Sequence, residues 1–375
     1  MIPLKLVAAN DTFGALLALG EALAGKQAVF ITSPETNGLM PEVHGLPAEV
    51  PDGVALIVES SGSTGTPKRI TLPRAALLAS AQGSDVALGG TGQWLLALPI
   101  NYIAGANVLI RSLVAETQPV LMNTTLPFTP QAFALAASQM TGSRRYTALV
   151  PTQLWRLLRD SYHDAFLLEK LRRFDAILVG GAAIDSALLA SAAEQGIVVV
   201  TSYGSAETAG GVVYDGVPFA GTKLSLDLKG RILISGPTLA QDLPLTKLMG
   251  TEWFRTSDLG RFDEGERLHV IGRVNRVLNS GGVKVSLDSI EELVRAIGGV
   301  VQAAALAVTD AEWGERAALV YVGSPEIADY IAAECLSQLG PAAKPVRVLR
   351  VATIPRLANG KTDYLGLATA ISAGS

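Results

Sequence analysis

Lys68 and the seven small or hydroxyl-bearing residues before it, Ser60, Ser61, Gly62, Ser63, Thr64, Gly65 and Thr66, have the composition of a polyphosphate cradle. Backbone N–H groups and hydroxyls in such a loop can wrap around phosphate oxygens. Gly62 and Gly65 let the main chain approach closely, and Lys68 supplies a cation for the outer phosphates. The spacing is not that of the GxxxxGK[ST] loop. A flexible Ser/Gly linker has a similar composition. However, the apolar run Val54–Val58 leads straight into this loop and Pro67-Lys68 closes it, and neither is a linker feature.

The elements that must position this loop read as an α/β chain. Apolar, largely β-branched runs near residues 30 and 57, then "TALVPT" and "DAILVGG", predict strands, and residues 153–162 predict a helix. The run "GIVVVTSYG", residues 196–204, predicts a strand ending in a polar turn. Ligands of such sheets sit at the carboxyl ends of strands, where both the Ser/Gly loop and the segment Tyr203–Glu207 fall. After about residue 270 the texture changes to a hairpin-rich stretch. A helix follows, with apolar residues at 290, 293, 294 and 297 on one face and Ser289 and Glu292 as its expected capping box. Two further strands, "AAALAV" and "AALVYV", complete a C-terminal domain of about 100 residues, an ordinary domain size. The expected division is 1–273 and 274–375.

Composition narrows the function classes. The chain has 375 residues, 49% of them apolar, and a net charge of −4 with both signs interspersed. No basic stripe for nucleic acid and no polybasic segment for a membrane is present in the sequence. No apolar run approaches the roughly 18–20 residues that a spanning helix needs, and the N-terminus lacks a secretory pattern. Cys335 is the single cysteine, so no intrachain disulfide can form. His44, His163 and His269 show no metal-ligand spacing. A soluble cytoplasmic protein is expected.

"SSGSTGTPK" resembles the phosphate loop of the adenylate-forming superfamily, which contains acyl- and aryl-CoA ligases, luciferases and peptide-synthetase adenylation domains. Further motifs follow in the superfamily's order. "TSYGSAETAGG", residues 201–211, resembles its YGxTE motif. The resemblance implies that Tyr203 stacks on adenine and that Glu207 binds Mg²⁺, a hard cation suited to a carboxylate oxygen. Ala206 replaces the usual Thr, with Ser205 or Thr208 as expected substitutes. "WFRTSDLGRF" resembles the RTGD motif, with Asp258 accepting hydrogen bonds from the ribose diol. Ser257 stands in place of the usual Gly. "GRVNRVLNSGGVKVSLDSIEE" resembles the segment that opens the mobile C-terminal domain. In it Arg273 contacts the ribose and phosphate region, and Gly281 and Gly282 line the pantetheine path. Asn275 stands at the hinge Asp and Arg276 at a second acidic position. "PRLANGKTD" resembles the last motif, with Lys361 as the catalytic ammonium of adenylation.

Two stretches bear on the acyl substrate. "LALPINYIAGANVLI" places Tyr102 beside the acyl and CoA channel. "YTALVPTQLWRLL", together with "GGAAI" and "ETAGGVVYDGVPFAG", is most similar to o-succinylbenzoate–CoA ligases of actinobacterial type. These assign substrate contacts to Thr152, Gly180, Ser202 and Gly210, and an apolar lining to Leu149, Val150, Leu154, Ala182, Ala183, Ile184, Val212 and Val213. The resemblance implies a large domain of stacked mixed sheets flanked by helices and a small mobile α+β domain. It also implies the substrates ATP with Mg²⁺, CoA and a small carboxylate, and a place in menaquinone biosynthesis. The alternatives are another aryl- or acyl-CoA ligase, an enzyme that passes its acyl-adenylate to a carrier protein, or an inactive nucleotide-binding module. The segment before the phosphate loop is about sixty residues, against well over a hundred in typical members. A reduced N-terminal subdomain is therefore expected, with a homodimer as one way of covering the surface it exposes.

Overall fold

The computed structural model describes residues 1–36, 39–60, 68–356 and 362–373. The chain divides into two compact units, Met1–Ser225 with Leu233–Arg255, and Leu226–Ile232 with Thr256–Ser375.

In the first unit one sheet contains β1 (Ile2–Ala8), β2 (Ala28–Thr32), β3 (Glu49–Val50), β4 (Val54–Ser60) and β5 (Lys68–Pro73), in the order β3-β1-β2-β4-β5. β1, β2 and β4 run parallel, and β5 returns antiparallel to β4. Residues 54–58 of β4 are all buried, as expected for an inner strand with both faces covered. Helices α1 (Thr12–Leu23) and α2 (Arg74–Ala87) flank this sheet.

The second sheet comprises β6 (Gln93–Leu96), β7 (Val120–Leu121), β8 (Arg145–Leu149), β9 (Ala176–Gly180), β10 (Val199–Ser205), β11 (Gly210–Tyr214) and β12 (Val217–Pro218). Its order is β12-β11-β10-β9-β8-β6-β7, parallel from β10 through β7 and antiparallel at β11 and β12. Helix α3 (Ile103–Val114) packs on this sheet. So do α4 (Pro130–Ser138), α5 (Pro151–Ser161), α6 (Ala165–Arg172) and α7 (Ser186–Glu194), whose apolar faces enclose a core built around Phe133, Leu154, Leu167, Leu171 and Phe174.

Two boundaries differ from the sequence expectation. Helix α5 begins at Pro151 rather than Gln153, because proline suits the first helical position and the Gln153 side chain accepts from the Val150 N–H at 3.1 Å. Strand β10 begins at Val199 and runs on through Ser205. Pairing with β11 keeps Tyr203 and Gly204 extended where a turn was expected.

Strands β13 (Lys223–Leu226), β14 (Arg231–Ser235), β15 (Leu245–Leu248) and β16 (Thr251–Phe262) follow. The first residues of β16 pair with β15 in the first unit. Its later residues pair with β17 (Leu268–Arg273) in the second unit, with Asp258 opposite Arg273. A single 3₁₀ turn, Val274–Arg276, leads to a hairpin of β18 (Val277–Ser280) and β19 (Val283–Ser286). Gly281 and Gly282 have φ of 58° and 85°, the pair of left-handed residues that a two-residue hairpin turn demands. Helix α8 (Leu287–Arg295) is capped by Ser286, whose hydroxyl accepts from the Ser289 N–H at 3.1 Å. The expected Ser289–Glu292 box is therefore one turn too late. β18 meets the Gly314 end of β21 (Gly314–Gly323), which lies between it and β20 (Val300–Asp310), and β22 (Arg347–Arg350) pairs parallel with Ala318–Tyr321 of β21 on the edge away from β20. Helices α9 (Ala328–Leu339) and α10 (Tyr364–Ala373) complete the unit. The core between its sheet and helices holds Leu278, Ile290, Val294, Leu319, Tyr321 and Ile331.

Candidate active site

The sites expected in the first unit gather at strand ends. Ser60 closes β4 and lies opposite Lys68, the exposed first residue of β5. The loop between them, with Ser61, Gly62, Ser63, Thr64 and Gly65, lies outside the described residues, as does Lys361. Strand β5 packs against the 3₁₀ turn Ala206–Thr208, so the phosphate-loop strand lies beside the turn that carries Glu207. Tyr203, half-buried on β10, precedes the first residue of that turn by three residues.

Thr152 stands in the first turn of α5, just past the end of β8. Gly180 ends β9, and Ser202 lies opposite it on β10. These three occupy the carboxyl ends of adjacent parallel strands, the place where such sheets receive ligands. At Gly180 a Cβ would meet the Ser202 carbonyl oxygen at 2.5 Å, so glycine is required for the two strands to approach. Tyr102 begins α3 as its N-cap. Burial raises its phenol pKa above the usual value and the Glu59 carboxylate adds to this, although a side-chain hydrogen bond with Asn101 acts in the opposite sense.

Four of the residues expected to line an acyl pocket do not. Leu149 and Leu154 belong to the core beneath α4–α7, and Val212 and Val213 are also fully buried. Ala182 and Ala183 are exposed and Ile184 is half-buried. The apolar run was legible, but packing of α4–α7 takes Leu149 and Leu154 into the core, and Val212 and Val213, on opposite faces of β11, are each covered by neighbouring elements.

The replacement of Thr by Ala206 is resolved locally. The Thr208 hydroxyl accepts from the Ser205 N–H at 2.9 Å and lies 2.7 Å from the Gly210 carbonyl and 3.1 Å from that of Ser205. It is buried and engaged within the turn, and the Ser205 side chain faces the Thr208 backbone in the same capping box.

Sequence reading missed the layer behind this turn. Ala209, in the left-handed region at φ 53°, accepts at its carbonyl from Ser80 Oγ and from Asn107 Nδ2, each at 2.9 Å. One helical turn further along the same two helices, Ser84 bonds Tyr214 Oη at 3.0 Å and Arg111 donates to it at 3.2 Å, with the Arg111 guanidinium 4.8 Å above the Trp94 ring. Gly210 is buried at φ 98°, and a Cβ there would meet Asn107 Nδ2 at 2.2 Å. The detectable signal is a polar pair at i, i+4 in each of two apolar helices, Ser80/Ser84 and Asn107/Arg111.

In the second unit Asp258 and Arg273 face each other across β16 and β17, with Arg273 Nε 3.4 Å from Asp258 Oδ1. The two residues assigned to the ribose region are thus brought together. Gly281 donates its N–H to the Trp313 carbonyl at 2.8 Å, which seats the hairpin turn against that residue.

Among the described residues no group of three or more His, Cys, Asp or Glu could hold a metal ion. A nucleotide-borne Mg²⁺ would need only one or two protein carboxylates beside the substrate phosphates, since that ion keeps several waters. Glu207, half-buried beside β5, fits that role. On this reading Glu207→Gln raises the Mg²⁺ concentration needed for half-maximal adenylation, since a neutral amide is the poorer ligand for a hard dication. A Mg²⁺ titration at fixed ATP checks this, and an unchanged midpoint removes Glu207 from the metal site.

Sequence profiles for the AMP-binding enzyme family and for the AMP-binding enzyme C-terminal domain match residues 14–241 and 289–361. The chain belongs to this family and is an adenylate-forming ligase. It is 36% identical, over 98% of its own length and 97% of the relative's, to a probable 2-succinylbenzoate–CoA ligase of Mycobacterium tuberculosis. It is 30% identical to the 2-succinylbenzoate–CoA ligase of Escherichia coli over 80% of this chain and 65% of that longer protein. The fold matches amide bond synthetase McbA from Marinactinospora thermotolerans with a TM-score of 0.77 at 20% identity, covering 99% of this chain and 90% of that one. It matches the o-succinylbenzoate CoA synthetase of Bacillus subtilis, in complex with its acyl-adenylate OSB-AMP, with a TM-score of 0.76 at 20% identity, covering 96% and 82%. The mixed sheets flanked by helices and the small C-terminal domain are therefore those of adenylate-forming enzymes.

Proposed function

We propose that the chain activates o-succinylbenzoate with ATP and transfers the acyl group to CoA, a thioester-forming step of menaquinone biosynthesis. The observation that carries this reading is the 36% identity to the mycobacterial ligase over almost the whole of both chains. The geometry supports it through the convergence of Thr152, Gly180 and Ser202 on neighbouring strand ends, with Glu207 beside the phosphate-loop strand. The fold alone does not set the acyl acceptor, because an amide-forming enzyme has it as well. Sequence similarity to CoA ligases is what favours a thiol.

In this reading the Ser/Gly loop and Lys68 hold the outer phosphates, Tyr203 stacks on the adenine, and Asp258 accepts from the ribose hydroxyls, with Arg273 nearby. Bound at Glu207, Mg²⁺ would offset phosphate charge. The substrate carboxylate attacks the α-phosphorus, the bond to the bridging oxygen of pyrophosphate breaks, and Lys361 stabilises the charge that develops. The thiol sulfur of CoA then attacks the acyl carbon, and AMP leaves with the electron pair of the broken C–O bond. The exposed residue Asn275, in a single 3₁₀ turn, is a cheap place for the torsion change between the two steps, and a functional division into 1–273 and 274–375 is proposed on that hinge, whereas the compact units divide after Arg255. Cytoplasmic placement and a homodimer belong to the same reading. Supporting them are the lone buried Cys335, the absence among the described residues of a helix long and apolar enough to cross a membrane, and exposed Phe13 and Leu17 on α1.

A screen of pyrophosphate release over carboxylic acids tests the proposal. The expected result is greatest release with o-succinylbenzoate and a CoA-dependent thioester as product. A higher kcat/KM on another acid makes the chain a related aryl- or acyl-CoA ligase. Pyrophosphate without thioester makes it a donor to another acceptor, and no AMP with any acid makes it an inactive module.

A further inference from the structure

Among the described residues, the non-glycine positions in the left-handed region are exposed at Glu116, Asp215, Asp242, Met249 and Glu266, and Ala209 alone is buried. A residue with a Cβ keeps that conformation only where its surroundings over-determine it, and such positions cluster at functional sites. At Ala209 the surroundings are specific. Its carbonyl takes two hydrogen bonds, from Ser80 Oγ on α2 and from Asn107 Nδ2 on α3, each at 2.9 Å. Ser80 is 1% exposed and Asn107 3%. A Cβ at the next residue, Gly210, would meet Asn107 Nδ2 at 2.2 Å, so glycine there is what admits the amide to the chain. Buried polar side chains are costly unless hydrogen-bonded, and here two of them converge on one backbone oxygen.

Ala209 ends the 3₁₀ turn Ala206–Thr208 and follows Glu207 by two positions. Its φ therefore sets the direction in which the chain leaves that turn for β11. Other bonds fix the rest of the turn. The Glu207 carbonyl accepts from the Ala240 N–H at 2.8 Å, and Thr208 Oγ1 accepts from the Ser205 N–H at 2.9 Å. These close the turn on itself and tie its middle, whereas its exit depends on Ser80 and Asn107. The same two helices reach β11 again at Tyr214, through Ser84 and Arg111. α2 and α3 thus hold β11 at both ends, and the end gripped by Ser80 and Asn107 is the one beside Glu207. Mg²⁺ demands near-ideal octahedral geometry, so a carboxylate offered to it tolerates little displacement of the backbone that carries it.

We propose that Ser80 and Asn107 form a clamp on the Ala209 carbonyl that holds the left-handed exit of this turn and so positions Glu207 for nucleotide-borne Mg²⁺. The inference rests on the metal role given to Glu207 above. Ser80 and Asn107 are positioning residues that act through Glu207. Such a clamp has a signature that ordinary core packing lacks. Glycine enters the left-handed region without the steric cost that alanine meets, so Ala209→Gly removes much of the need for the clamp.

Calorimetric titration of the full-length protein with ATP, once in Mg²⁺ and once in EDTA, gives the Mg²⁺-dependent gain in affinity without turnover. Asn107→Ala is expected to reduce that gain by about 10-fold through displacement of the turn, and to leave binding in EDTA within about twofold. Ser80→Ala removes one small donor and leaves the other. It is expected to reduce the gain about threefold, and it carries the test if Asn107→Ala does not fold. Adding Ala209→Gly to either variant is expected to restore most of the gain. Equal losses in Mg²⁺ and EDTA, or a loss that glycine does not relieve, would mean support of the fold only and overturn the clamp. So would an unaltered gain in the folded variants where Glu207→Gln has lost it. If Glu207→Gln itself keeps the gain, the metal reading of Glu207 fails and the clamp fails with it.

Discussion

Lys361→Ala is expected to slow acyl-adenylate formation by about 10²–10³-fold, the usual consequence of removing one preorganised group aimed at transition-state charge. Thioester formation from supplied acyl-adenylate is expected to stay largely intact, because the second step begins after the α-phosphate has been transferred and places its charge elsewhere. The asymmetry separates this role from a general effect on folding, which would lower both steps together. ATP–pyrophosphate exchange, set beside CoA-dependent consumption of acyl-adenylate, gives both rates. Equal losses would remove Lys361 from the adenylation step.

The second large effect concerns the substrate. o-Succinylbenzoate carries a carboxylate that a simple aryl acid lacks, and a buried carboxylate needs hydrogen-bond donors. Tyr102 at the start of α3, Thr152 at the start of α5 and Ser202 on β10 opposite the end of β9 are the side-chain candidates. A site built around a polar group rejects the analogue lacking it by as much as about 10⁴–10⁵-fold, because its donors are then left unpaired. The expected result is therefore a steep fall in kcat/KM when the ring carboxylate of o-succinylbenzoate is replaced by hydrogen. Similar efficiency on both compounds would make the chain a general aryl-CoA ligase.

The sequence revealed the parts of this molecule whose signals are local. Residues 54–58 form an unbroken apolar run because β4 is covered on both faces, and the phosphate loop stands out because small and hydroxyl residues follow it directly. The Gly281–Gly282 turn is legible for a similar reason, since few residues other than glycine accept two consecutive positive φ values. Tertiary pairing is what escaped. Continuation of β10 through Tyr203 depends on β11, and nothing within residues 199–205 announces that hairpin. Leu149 and Leu154 have the apolarity of a pocket wall, and only the packing of α4–α7 assigns them to the core. Asn107 and Ser80 converge on the Ala209 carbonyl from two helices, each more than a hundred residues away along the chain. Arg276 reads as a departure from a motif until Glu291 and Tyr364, themselves 73 residues apart, are seen to enclose it.

The measurement that bears most directly on the central claim is a product balance with o-succinylbenzoate, ATP, Mg²⁺ and CoA. AMP, pyrophosphate and acyl-CoA are quantified together in the complete mixture and in mixtures lacking one component. The predicted result is that the three products appear in equal amounts, that none forms without the acid, and that thioester is lost while a single round of acyl-adenylate remains when CoA is left out. Release of AMP and pyrophosphate with no acyl-CoA in the complete mixture would contradict the assignment of CoA as acceptor. No acid-dependent AMP under these conditions would contradict the assignment of the substrate.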